Sequence, residues 1–445
     1  MIALLILFVA TTAMLIVRIT LLRASSAPSI LPIGLFVGYL AVATGVVPVL
    51  WVIGWAQPWS EIASDPYLAA SVTTLALLVT AFGVILACPP GRVSEISLRT
   101  PGTKLDVALF GGLAVGVLGY LVLAASAGGP VALLYTLADR RELLAGTGPL
   151  RILLIVSAVA CIYGALHADK TTRQRMLTWA CGLVYAASTL LTGSRFQVIV
   201  LAVAVICAHV RVNGWSRRLK AGVLVTVLAV VPLSTIYGLE VRTGLTYGQE
   251  VEWSDPATGT VTINSLVGPF VRGGLDTIRT TGVAAAKQEP FALNPELAVG
   301  SLANLVPRSV WPAKPEGAAT QFSRQYFLSK WVDGTGVPPS IFAEFFHSFG
   351  LFGGLAALLL LGILLTRLSF WMMSRPRLYW TMLAPFFAAD CIQLAKGGSD
   401  GFLRTLVLHI GAVMIMVLIA RSAGTTLNVE PGSPATSEQA RSGAR

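Results

Sequence analysis

The sequence predicts an all-α, polytopic membrane protein with about eleven spanning helices and one long extracytoplasmic loop. Three observations carry that expectation. Hydrophobic residues make up 55% of the 445 residues and charged residues only 12%, whereas a soluble domain carries about 25% charge. Mean hydropathy is +0.75, so lipid has to be the solvent for most of the chain. Lys and Arg also gather in alternate connections between the apolar runs.

Apolar runs of about 17 residues or more count as spans. They fall at 2–22, 31–55, 68–88, 105–126, 151–167, 176–193, 195–211, 219–238, 341–366, 379–395 and 403–420. The first is expected as a retained span, because Met1 to Val17 has neither a basic n-region nor a small-residue cleavage site. One set of connections holds Arg23, then Arg92, Arg99 and Lys104, then Lys170, Arg173 and Arg175. It continues with Arg211, Arg217, Arg218 and Lys220, and with Arg367, Arg375 and Arg377. The opposite set has no Lys or Arg in 56–67, a mixed cluster from Asp139 to Glu142, and the corner around Gly193-Ser194-Arg195. Excess Lys and Arg in short loops marks the cytoplasm, which puts the N-terminus outside and the C-terminus inside.

The chain then divides into membrane helices over 1–238, a long extracytoplasmic loop over 239–340, membrane helices over 341–421 and a tail over 422–445. The tail is small, polar and aperiodic, the composition of a disordered cytoplasmic segment. The expected location is the cytoplasmic membrane, multi-pass, with chemistry on the extracytoplasmic side.

The net charge of +11 belongs to span ends, and no nucleic-acid-binding module is legible. Cys88, Cys161, Cys181, Cys207 and Cys391 lie in or beside apolar runs without a CxxC pair, so no metal or disulfide framework is indicated. No P-loop is present, and no cofactor is expected.

Polar groups at the extracytoplasmic side form four clusters. In LLTGSRFQVIV, Arg195 sits between two apolar runs, either as a fixed anion site or as an interfacial anchor. In 302–327, three prolines hold an irregular backbone that carries Arg308, Lys314 and Arg324 with Trp311, Phe322 and Tyr326. Cations bind phosphate and rings stack on sugars, so a sugar phosphate suits this segment, as would a headgroup-contacting aromatic belt. In PPSIFAEFFHSFGLFGGL, Glu344 and His347 share one helix face. They read as an acid/base pair or as a polar pair at a helix mouth, with Gly350, Gly353 and Gly354 allowing close helix packing. In the last corner, Asp400 and Arg404 have the spacing of an ion pair, and Lys396 that of a helix-end anchor.

Asp390, inside the tenth span, calls for a role. His409 reads as a packed polar group, and His167 and His209 as capping or snorkelling residues. The stretch 263–285, with Arg272 and Arg279, reads as an interfacial amphipathic helix.

Three quoted segments, LTGSR (191–195), VPRSVWPAKP (306–315) and PPSIFAEFFHSFGLFGG (338–354), together resemble the Wzy-type oligosaccharide repeat-unit polymerases of O-antigen, capsule and exopolysaccharide. The distinctive residues cover about a tenth of the chain, and the rest is similar only in its hydropathy. The resemblance implies transfer of a growing glycan from one undecaprenyl diphosphate to a second carrier-linked repeat unit. Arg195 and Arg308, with Arg404, Arg324 and Lys314, would then hold the donor diphosphate. Glu344 or His347 would deprotonate the acceptor, and Trp311 and Tyr326 would contact sugar. The bilayer, a chain-length regulator and a flippase are the further partners it implies. An O-antigen-ligase-like transferase or a transporter of lipid-linked sugar are the alternative readings.

Overall fold

The computed structural model describes residues 2–24, 32–52, 65–89, 102–129, 148–167, 170–191, 195–213, 276–287, 289–306, 310–328, 332, 337–375 and 377–424. The expected eighth span at 219–238, the first part of the long loop and all but the start of the tail lie outside them.

Among the described residues the fold is helical throughout, without a β-strand. Seven helices open the chain: α1 (Ile2–Ala24), α2 (Pro32–Val52), α3 (Pro66–Ala87), α4 (Gly102–Ser126), α5 (Gly148–Ala165), α6 (Thr172–Leu191) and α7 (Arg195–Asn213). Three short helices follow: α8 over 276–286, α9 (Glu296–Ala303) and α10 (Ala318–Tyr326). The chain ends in α11 (Ile341–Ser374) and α12 (Leu378–Ser422). Six of these, α1 to α4, α11 and α12, are long and apolar enough to cross a membrane, and Leu150–Ala165 and Phe196–Val212 form shorter apolar helices. The protein is therefore a polytopic helical membrane protein. α6 falls short of the same standard because its first turn is Thr172-Arg173-Gln174-Arg175.

A straight α12 of 45 residues would be about 67 Å long at ~1.5 Å per residue, twice the ~30 Å hydrocarbon core. Instead it breaks at Gly398 and folds back. Asp390 and His409 would stand about 28 Å apart along a straight helix, yet their side chains meet at 2.7 Å. The two arms match the separate runs seen at 379–395 and 403–420.

Contacts between helix ends sort the short connections into two groups. At one end Lys104 reaches the carbonyl of Gly424, Arg173 pairs with Asp106, Arg211 donates to the Met373 carbonyl and the Cys88 thiol meets the Thr20 carbonyl. All four contacts join connections that carry the excess of Lys and Arg. The Gly398 corner, the starts of α7 and α11 and helices α8 to α10 gather at the other end, called the site end below.

Helix starts follow from local chemistry. Asp65 caps α3 by accepting from the Tyr67 N–H, with Pro66 in the first turn, and Ser340 caps α11 by accepting from Ala343. Inside the helices, Thr44, Thr73, Thr80, Thr366 and Ser369 donate back to the carbonyl four residues earlier, which pairs these five hydroxyls within their own helices.

Two expectations need correction. The first concerns the amphipathic helix at 263–285, whose residues before 276 lie outside the described set. In α8, Thr277, Ile278, Thr280, Thr281, Val283 and Ala284 are all buried, so it lacks the exposed face of an interfacial helix. Ile278 packs with Ile6, Val47, Ala69 and Ala70, and Gly282 presses on Ala69. The hydroxyls of Thr280 and Thr281 meet Ser340 at 3.2 and 2.9 Å. The threonines satisfy one another and Ser340, which lets a polar-looking segment be buried.

The second concerns the glycines of α11. Close helix packing is made by Gly83 of α3 and Gly362 of α11, where an added Cβ would lie 2.4 Å from the carbonyl of Leu359 or of Thr80. Gly350 instead breaks the helix, at φ 73°. Gly353 and Gly354 face Phe349 and Phe346 of their own helix. Gly362→Val should therefore lower stability by about 1–3 kcal/mol through overpacking. Gly38→Ala, where a Cβ meets nothing within 4 Å, should be near neutral. Thermal unfolding of the detergent-purified variants checks this, and equal melting of the two would refute the contact.

Candidate functional site

The site is built on two helix breaks. At Gly350 the break leaves carbonyls on one side and N–H groups on the other without helical partners. The extended segment 289–294 fills the gap. Ala292 and Asn294 donate to the carbonyls of Phe349 and Ser348 at 3.1 and 2.8 Å, and Leu351 and Phe352 donate to those of Glu289 and Pro290 at 3.4 and 3.0 Å. A Cβ on Gly350 would lie 2.5 Å from the Glu289 carbonyl oxygen, so both the φ of 73° and the close approach require glycine.

At Gly398, φ 64°, the second arm of α12 starts with free N–H groups and a positive helix end. Glu344, 2% exposed, supplies the cap from α11. Its Oε2 accepts from the Ser399 N–H at 2.7 Å and its Oε1 from the Ser399 hydroxyl. A Cβ on Gly398 would lie 2.6 Å from Glu344 Oε2. Glu344 thus holds the hairpin corner in place.

His347, one turn further along α11 and 1% exposed, has different partners. No hydrogen bond joins it to Glu344, so the expected acid/base pair is not formed between these two. Its Nδ1 lies 2.8 Å from the Tyr326 hydroxyl and its Nε2 3.2 Å from the Asn294 amide nitrogen. The Asn294 oxygen accepts from the Glu296 N–H at 3.2 Å, which turns the amide NH₂ toward the imidazole. Nε2 must then accept, Nδ1 carries the hydrogen and donates to Tyr326, and the tyrosine's own proton is left for another partner. Phe322, fully buried, stands edge-on to the imidazole at 6.5 Å. Lys287 lies 5.4 Å from the Tyr326 ring and Arg279 4.6 Å from the neighbouring Phe327 ring.

The remaining expected residues are placed as follows. Arg324 ion-pairs with Glu316 at 3.1 Å, both partly exposed. Lys314 donates to the carbonyls of Ala303 and Val306 at 3.3 and 2.8 Å, closing the end of α9. Trp311 is 42% exposed. Arg404 is exposed and does not pair with Asp400. Asn304 takes both Asp400 oxygens instead, at 2.9 and 3.0 Å. The helical spacing permits the ion pair, but the end of α9 docks on the corner and its amide occupies the carboxylate. Lys396 stands 5.8 Å from the Phe196 ring, so the corner of α12 lies beside the start of α7. Arg195 opens α7, and both its side chain and Arg308 lie outside the described residues. Among the described residues no group of three or more His, Cys, Asp or Glu is placed to hold a metal ion.

Deeper in α12, Asp390 and His409 are fully buried and hydrogen-bonded, with Phe386 stacked on the imidazole at 4.3 Å. His409 is packed, as its mid-span position suggested. His167 caps α5 through the Tyr163 carbonyl at 2.8 Å.

Asn294, Ser399 and Asn304 escaped the sequence reading. Gly397-Gly398-Ser399 inside an apolar run is a readable break signal. Asn294-Pro295-Glu296 reads as a helix start, but no sequence pattern aims its amide at His347. A double-mutant cycle of Asn304→Leu and Asp400→Leu, followed by thermal unfolding, should give a coupling of about 1.5–3 kcal/mol, the usual value for hydrogen bonds to a charged group. Additive losses would mean that α9 docks without this contact.

Comparison of the chain with protein-family models, with curated proteins and with solved structures finds no match.

Proposed function

We propose that the chain is a membrane glycosyltransferase that joins undecaprenyl-diphosphate-linked oligosaccharide repeat units into a cell-surface polysaccharide at the outer leaflet of the cytoplasmic membrane. One observation carries the reading. Tyr326, which follows the proline-rich segment, and His347, in the Glu-bearing helix, meet at 2.8 Å. The stretch that follows the second of the segments resembling the repeat-unit polymerases thereby meets the third, around a group able to take a proton.

In the reaction, the acceptor sugar hydroxyl attacks the anomeric carbon of the donor glycan, and the bond from that carbon to the diphosphate oxygen breaks. The bonding electron pair leaves with the diphosphate, and the hydroxyl proton passes to a base. His347 Nε2 carries the lone pair suited to that task once a sugar hydroxyl replaces the Asn294 amide, while the Nδ1–H bond to Tyr326 fixes the tautomer. Glu344, whose two oxygens both accept from Ser399, is assigned a positioning role. Arg195, Arg308 and Arg404 are assigned to the diphosphate, whose departure needs fixed positive charge. Arg324 and Lys314 contribute less, because Glu316 and the α9 carbonyls already engage them. Trp311 offers an exposed ring for a sugar face. The energy is stored in the donor, so no nucleotide is consumed, and the bilayer, a flippase and a chain-length regulator are the partners this chemistry calls for.

The purified protein should lengthen a synthetic lipid-linked repeat. His347→Gln should slow that reaction about 100-fold or more, the usual contribution of a general base, and Tyr326→Phe by a smaller factor. Arg308→Lys should fail if its contact is bidentate, whereas Arg324→Lys should be tolerated. Cells with a dead variant should accumulate single repeats, whereas long lipid-linked polymer would mark a ligase. Normal polymer from His347→Gln, expressed at the wild-type level, would remove the assignment. A transporter is the second reading, favoured by the buried Asp390–His409 pair; binding of carrier-loaded lipid without any glycosidic bond formed would select it.

A further inference from the structure

The Asp390–His409 pair is not used by the proposed chemistry. Counting at ~1.5 Å per residue, Asp390 lies about 12 Å and His409 about 16 Å of helix below Gly398. Half of a ~30 Å hydrocarbon core is about 15 Å, so the pair sits near the middle of the two arms. Both side chains are fully buried, and ionisable groups at such depth are rare without a role.

A purely structural clamp would give each of its polar atoms a partner, as Ser399 does for both oxygens of Glu344. Here one atom of each partner stays buried without a hydrogen bond among the described residues, Asp390 Oδ1 and His409 Nε2. Proton counting shows what this permits. The contact between Nδ1 and Oδ2 needs one proton, shared between the two atoms at 2.7 Å. With that proton alone the pair carries one net negative charge and Nε2 is an open lone pair. With a second proton on Nε2 the pair is neutral overall. The two states differ by a whole charge in an apolar setting, with little else to change.

Polar groups from neighbouring helices stand near the pair. α6 brings Tyr185, which lies within electrostatic range of Asp390, and α5 brings Arg151, which lies within range of both Tyr185 and Arg404. α7 contributes the uncharged Gln197, whose side-chain oxygen accepts from the Tyr185 hydroxyl at 3.1 Å. α12 itself adds Cys391 and Arg404. Of the ionisable groups of α2 and α4, Tyr39 meets Thr277, Asp106 pairs with Arg173, Lys104 donates to the Gly424 carbonyl and Tyr120 packs against Ala124 and Ala127. Phe386 covers one face of the imidazole at 4.3 Å. Gln197 stands two residues into α7, so these polar groups run toward the site end.

We propose that Asp390 and His409 form an intramembrane proton-binding site, which takes up and releases one proton while joining the two arms of α12. Because the same arms meet at the Ser399–Glu344 corner, the proton held here is placed to alter how the corner closes.

Histidine nitrogen NMR on the ¹⁵N-histidine-labelled full chain in lipid nanodiscs tests this without any glycan, so its outcome is independent of the polymerase reading. The chain has 4 histidines. With His167, His209 and His347 replaced by Gln one at a time, the signal that survives in all three is that of His409. Spectra recorded from about pH 5 to pH 9 are expected to show a change of its protonation state, and that change is expected to move in Asp390→Asn and in Asp390→Glu. A His409 signal that keeps one protonation state across that range in the wild-type protein would overturn the proposal. So would a titration that Asp390→Glu leaves unmoved, because the pair would then not share the proton.

Discussion

A helix broken inside an apolar environment leaves N–H and C=O groups that lipid cannot satisfy, and each must find a partner within the protein. The arrangement at the site end follows from that requirement. At Gly398 the free N–H of Ser399 draws in the Glu344 carboxylate, and at Gly350 the exposed carbonyls and N–H groups are stitched to residues 289–294. The first closure fixes the hairpin of α12 against α11. The second fixes the loop against α11 and sets Asn294 beside His347. Both breaks use glycine with a positive φ, and at both the neighbouring chain comes too close for any side chain.

From that framework the chemistry becomes local. A buried carboxylate that accepts at both oxygens from one serine ties two helices together, so Glu344 positions the corner. A buried imidazole that accepts at Nε2 and donates at Nδ1 has a defined tautomer, with the neutral Asn294 amide at its accepting nitrogen. Neighbouring residues on one face of one helix therefore have different tasks, set by what approaches each of them. Arg324 and Lys314 follow the same logic. Their charge is legible in the sequence, but a carboxylate and two carbonyls already engage them, which lowers their value to an incoming anion.

Apolar run lengths and the Lys/Arg alternation were enough to place nearly every described membrane helix to within a few residues. Both patterns are local consequences of solvent, since lipid demands apolar surface over a fixed length and basic residues collect at one set of ends. The corner at Gly398 was legible for the same reason, as an interruption between two apolar runs. The burial of α8 was not, because its threonines look polar until Ser340 and the other hydroxyls are brought beside them. The Asp400–Arg404 pair failed for a related reason. Helical spacing reports which groups can meet within one helix, and it is silent about Asn304, 96 residues away.

The sequence by itself therefore determined the class of the protein, its helix order and where its polar and ionisable residues fall along the helices, because composition and periodicity respond to solvent residue by residue. The tertiary structure alone decided which of those residues meet: Tyr326 with His347, Glu344 with Ser399, Asp390 with His409. Each of these contacts depends on a chain reversal or on the docking of a distant segment, and a hydrogen bond formed over 2.7 or 2.8 Å leaves no periodic trace in the sequence on either side of it.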